Sequence, residues 1–139
     1  MLPRSVTAAF QWASLGRDQE RTWANVPCVE DQAYLRAQLA QRGLVAFVGN
    51  GFLLARESGA SDLPLASAVP FQSSPALEVE VTLPNAGAVM GMGLPRGVTV
   101  VAGGGFHGKY TLLSALEAGV YDHVPGDRRT RLVAVGEAV

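Results

Sequence analysis

Residues 98–121 read VTVVAGGGFHGKYTLLSALEAGVY, and the fold turns on how this stretch is parsed. Its opening, VTVVAG, is short, apolar and rich in β-branched residues, the composition of a strand buried on both faces of a parallel sheet. Its second half places Leu112, Leu113, Leu116 and Val120 at helical spacing. Between the two stand Gly103, Gly104, Gly105, Phe106, His107, Gly108 and Lys109. Gly, four residues, Gly, Lys is the spacing of a phosphate-binding loop, and the pattern carries weight where a strand precedes it and a helix follows. The stretch therefore predicts strand, glycine-rich loop, helix.

Each residue type in that loop has a physical reason. Glycines let backbone N–H groups turn inward and approach phosphate oxygens with no Cβ in the way, at the N-terminus of a helix. Lys109 would reach the β- and γ-phosphates as a point charge. The loop pattern asks next for Ser or Thr, whose hydroxyl ligates Mg²⁺; Tyr110 carries its hydroxyl on a rigid ring, too far out for that role. Thr111 follows, and its hydroxyl would sit nearer the α-phosphate. His107 would contact a phosphate or the base, or shape the turn. The competing reading is a flexible glycine turn with a solvated Lys109.

Upstream, VEDQAYLRAQLAQRG from Val29 predicts a helix with Tyr34, Leu35, Leu39 and then Leu44 on its apolar side, Asp31 as its cap and Gly43 as its end. GLVAFV reads as a buried strand, and the Asn50-Gly51 turn predicts a hairpin into FLLAR. Residues 57–75 have the composition of a long ordered connection. LEVEVTL alternates with period two, so Leu77, Val79, Val81 and Leu83 are expected inward and Glu78 and Glu80 outward. AVMGMGL returns after the turn PNAG. The expected architecture is α/β: an upstream helix and hairpin, an antiparallel β-subdomain, then strand, phosphate-binding loop and helix. It occupies residues 28–139, with 1–27 unassigned.

The chain has 139 residues, 48% of them hydrophobic and 17% charged, and a net charge of −1. This suits one globular domain and offers no overall basic field for nucleic acid or an anionic membrane. The lone Cys28 forms no internal disulfide and has no metal-ligand spacing around it. No signal-peptide core or membrane-length apolar run is present, so a cytoplasmic location and no membrane partner are expected. His123 at the helix exit is expected to meet the helix dipole in a structural role. Asp122 and Asp127 are read as turn formers, and Trp12 and Trp23 as packing residues. No catalytic residue or metal ligand is assigned.

Three blocks in order, VEDQAYLRAQLAQRGLVAFVGNGFLLARESG, LPNAGAVMGMGLPRGVT and GGGFHGKYTLLSALEAGVYDHVPGD, resemble the ATPases of the ABC class, soluble proteins with an ABC-type core. The resemblance runs roughly from Cys28 to Asp127. It implies ATP binding, with Gly103, Gly104, Gly105, Phe106, His107, Gly108, Lys109 and Thr111 matching the family's loop and Tyr110 departing from it. Arg128 stands at a family glycine, Thr130 at a family glutamate and Ala55 at a family proline. If that glycine holds a positive φ, arginine costs about 1 kcal/mol there.

Family members are several times longer and carry Walker B acidic residues and a signature motif after this segment. The chain is accordingly expected to be a truncated or fragmentary member that binds ATP, with Mg²⁺ placement in doubt and no hydrolysis by itself. An incomplete sheet predicts self-association or a covering partner chain. Two rival readings stand beside it: a non-catalytic interaction module that binds no nucleotide, and a nucleic-acid-binding accessory using Arg128, Arg129 and Arg131.

Overall fold

A computed structural model describes residues 18–58, 61, 63–105, 108–136 and 138. Helix α1 spans Asp18–Gln41 and includes Pro27. It begins well before the expected start, so Asp31 lies inside the helix and does not cap it. The inner seam is Cys28, Asp31, Gln32, Leu35 and Leu39, spaced three and four apart; Tyr34 falls off this seam and is exposed. Gly43, at φ 66, takes the left-handed turn that ends the helix.

Strands β1 (Leu44–Gly49), β2 (Glu78–Leu83), β3 (Gly87–Pro95) and β4 (Leu132–Ala134) form one sheet in the order β2-β3-β1-β4. Every neighbouring pair is antiparallel. Alternation along β1 divides the core. Phe47 joins Leu35, Leu39, Val81, Leu83, Val89 and Val133 beneath α1. Ala46 and Val48 join Leu54, Met92, Leu94, Leu132 and Ala134 on the other face, covered by Ala115 and Leu116 of helix α2 (Lys109–Ala118). The result is helix, sheet, helix.

Several expectations change. The hairpin into FLLAR does not form: β3 and β4 occupy both edges of β1, and Phe52 to Ala55 lie outside the sheet. Leu77 precedes β2, with its N–H on Ser74 O at 3.0 Å, and packs on the α2 side instead of following the alternation of Val79, Val81 and Leu83. Glu78 is half-buried, accepting the Ser73 hydroxyl at 2.8 Å, whereas Glu80 is exposed. Trp23 is 64% exposed, so it is no core residue, and Trp12 lies outside the described residues. In α2, Leu113 and Val120 are exposed, Val120 because the helix ends at Ala118.

The largest departure is at residues 98–103. They form no strand; Val98 is 97% and Val100 82% exposed. A strand exists only through a ladder, and among the described residues no neighbour pairs with this run. The connection at residues 57–75 is ordered where described, tied by the Phe71 N–H to Phe52 O at 2.8 Å and the Leu65 N–H to Ala55 O at 3.0 Å.

Arg128 has φ 63 and an exposed side chain. The family glycine read at this position thus corresponds to a left-handed backbone, which strains any residue bearing a Cβ. Arg128→Gly is expected to raise the unfolding free energy by about 1 kcal/mol. An unchanged or lower urea midpoint would count against that strain.

Candidate phosphate-binding site

Helix α2 starts at Lys109 behind Gly108, whose φ of 74 and ψ of 7 place it in the left-handed region. Glycine is needed there because the chain must swing from the loop into the helix axis. No side chain caps the helix and its first turn holds no acidic residue. The first helical bond runs from the Leu112 N–H to Gly108 O at 2.9 Å, so the N–H groups of Gly108 to Thr111 have no acceptor within the helix. They and the positive end of the helix dipole point toward the loop.

Gly103, Gly104 and Gly105 approach this end as exposed backbone. Lys109 Nζ folds back over them, donating to Gly103 O at 2.7 Å and to Gly104 O. Lys109 is thus brought onto the carbonyls of Gly103 and Gly104. Phe106 and His107 lie outside the described residues.

Tyr110 is 82% exposed. Thr111 is half-buried and lines, together with Tyr110, Arg56, Ser114 and Arg129, a cleft of about 360 Å³. Magnesium does not fit this residue set: the loop position that supplies its hydroxyl ligand carries a phenol, with the oxygen a ring's length farther out. Among the described residues, no group of three or more His, Cys, Asp or Glu side chains is arranged to hold a metal ion.

Beyond α2 the chain is held by a cluster that sequence reading missed. Gly119 O accepts the Ala134 N–H at 2.8 Å, seating the helix exit against β4. Gln32, fully buried on α1, accepts the His123 N–H at 2.7 Å and donates to His123 O at 2.8 Å. The Cys28 thiol also donates to His123 O, at 3.3 Å, and burial pushes its pKa up. Asp127 is more than a turn former: it pairs with His123 Nδ1, and Arg56 donates to its carboxylate and, at 2.7 Å, to its carbonyl. The His123 imidazole therefore meets Asp127 in place of the helix dipole.

The signal for Gln32 and Asp31 was present as two polar residues on the apolar seam of a helix. Asp31 accepts the backbone N–H groups of Asn85 at 2.8 Å and Ala86 at 3.0 Å, so it caps the β2–β3 turn. The basic run is divided: Arg129 is buried and donates to Leu54 O, Arg131 lies over the Phe52 ring at 5.4 Å, and Arg128 is exposed. The three do not form one basic face.

Burial lowers the His123 pKa below its ordinary 6.5; Arg129 and Arg56 act in the same direction, while Asp127 opposes them. Its Nε2 is buried and meets no hydrogen-bonding partner among the described residues. The folded protein thus takes up this proton less readily than the unfolded chain, which binds it below pH 6.5. Stability from this group is fully present above pH 6.5 and falls as the pH drops below it, by at most about 1.4 kcal/mol per pH unit. Urea melts between about pH 7 and 5 should show the loss, and His123→Gln should flatten it. An equal slope in both proteins would remove His123 as the source.

Among the described residues no helix is long and apolar enough to cross a membrane. An uncharacterized protein of Methanocaldococcus jannaschii, MJ1628, is 31% identical over 115 residues, which cover 74% of this chain and 25% of that protein. The chain thus spans about a quarter of the length of that curated relative. The family match runs over residues 18–139, taking in α1, the whole sheet, the glycine loop and α2. On that match the chain belongs to the ABC_ATPase family, a P-loop domain.

Proposed function

We propose that the loop Gly103–Gly108, with Lys109 and the first turn of α2, binds the phosphates of ATP. The observation that carries this reading is the uncapped start of α2 behind a left-handed Gly108, with Lys109 Nζ already lying across the Gly103 and Gly104 carbonyls. A phosphate entering the loop exchanges those carbonyl contacts for charge-assisted bonds to Lys109 and meets the open N–H groups of the helix. Family membership supports nucleotide as the ligand class.

Hydrolysis is not proposed for this chain. Phosphoryl transfer needs a group that positions water and stabilisation of the charge that develops, and a phosphate-binding loop by itself supplies no water-positioning group. A cytoplasmic location is part of the proposal.

Calorimetry with ATP on the wild type and Lys109→Ala tests the reading. The wild type is expected to bind, and the variant to lose at least about tenfold in affinity, roughly 1.4 kcal/mol. Equal affinity in the two proteins, or no binding by a folded wild type, would sink it.

A second reading, an interaction module that binds no nucleotide, is favoured by the exposed and unpaired run from Val98 to Val101. Its partner would be a β-strand from a second copy or another chain. That reading predicts self-association or capture of a partner without any response to ATP. A monodisperse monomer in sizing chromatography would count against the self-association branch.

A further inference from the structure

We propose that this loop takes its nucleotide as a free polyphosphate anion, without magnesium; the inference rests on the phosphate-binding reading above. The position that normally places a hydroxyl on the metal is Tyr110, a largely exposed residue in the first turn of α2 whose oxygen sits at the far end of a rigid ring. Leu113, one turn on, is exposed as well. Thr111 follows one residue later on the helix, half-buried in a cleft that Tyr110, Arg56, Ser114 and Arg129 also line.

Charge and hydration decide the sign. Magnesium gives up its water ligands reluctantly and is held only where protein oxygens replace some of them. Here the loop offers carbonyls already engaged by Lys109 and, at the helix start, N–H groups that repel a cation. A magnesium ion bound to the β- and γ-phosphates would also draw their charge away from Lys109, the group that must hold them. Without the metal, the full anionic charge faces Lys109 and the amides. Magnesium is therefore expected to leave binding unchanged or to weaken it, the opposite of its effect on a loop with a serine or threonine in place.

The experiment is calorimetry of ATP and of pyrophosphate, each in EDTA and with excess Mg²⁺, on the wild type, Tyr110→Ser and Lys109→Ala. The exposed Tyr110 can be replaced with little effect on folding. The wild type is expected to bind both probes in EDTA at least as tightly as with Mg²⁺, whereas Mg²⁺ should tighten ATP binding to Tyr110→Ser by roughly tenfold. Tightening of wild-type ATP binding by Mg²⁺ of about threefold or more overturns the inference while leaving the phosphate-binding reading intact. The same Mg²⁺ response in wild type and Tyr110→Ser also overturns it. A folded wild type silent in both conditions, or a Lys109→Ala protein that binds as well as wild type, removes the phosphate-binding reading and this inference with it.

Discussion

Gly91→Ala is expected to lower the unfolding free energy by about 3 kcal/mol or more. A Cβ at this position would stand 2.5 Å from Phe47 Cζ, 2.5 Å from Val48 O and 2.9 Å from the Gly49 Cα. Two of those three atoms are backbone, so no rotamer change relieves the overlap. The third belongs to a fully buried ring beneath α1. Either β3 moves away from β1, at the centre of the sheet, or Phe47 leaves the core. Gly136→Ala is the control: nothing lies within 4 Å of its Cβ position, and a change within about 0.5 kcal/mol is expected. Urea denaturation of the two variants checks both. A Gly91→Ala protein as stable as wild type would mean that β1 and β3 are not in this close contact.

Gln32→Leu is expected to be nearly as damaging, at about 3 kcal/mol. Its amide matches the His123 N–H at 2.7 Å and the His123 carbonyl at 2.8 Å, both far away in sequence and both buried. Leucine fills similar space but leaves the N–H with no acceptor and the carbonyl with only the Cys28 thiol. Each buried polar group left unsatisfied costs about 1–3 kcal/mol. Through His123 the loss loosens Asp127 and Arg56, so faster hydrogen exchange is expected across residues 119–129. Gln41→Leu, exposed on the same helix, should stay within about 0.5 kcal/mol of wild type. Equal stability of the two variants would show that the Gln32 bridge holds nothing.

Local signals transferred well where the determining interaction is itself local. Gly43 and Gly108 both take left-handed backbone beside a helix, and Val79, Val81 and Leu83 keep the inward alternation of β2. Arg128, which the resemblance sets at a family glycine, has the left-handed φ of 63 that glycine adopts without strain. The loop residues Gly103, Gly104, Gly108 and Lys109 meet because they lie within one short stretch.

What failed was non-local. The run VTVVAG has every compositional mark of a buried strand, yet a strand is a relation between two segments, and no described segment pairs with this one. The Asn50-Gly51 turn signal was real as a turn, but β3 and β4 outcompeted FLLAR for the edges of β1. Asp31 shows the same limit. Its carboxylate has the chemistry of a cap, and only the approach of the β2–β3 turn decided which N–H groups it would satisfy.

By itself, then, the sequence determined the glycine end of α1 at Gly43, the shared face of Val79, Val81 and Leu83, and the family, all of which follow from residues within a few turns of one another or from ordered motifs. Only the tertiary structure decided the all-antiparallel order β2-β3-β1-β4, the exposure of residues 98–101, and the Gln32–His123–Asp127–Arg56 cluster. Strand pairing and buried polar satisfaction depend on which distant groups arrive at the same place, and composition and short-range spacing carry no record of that.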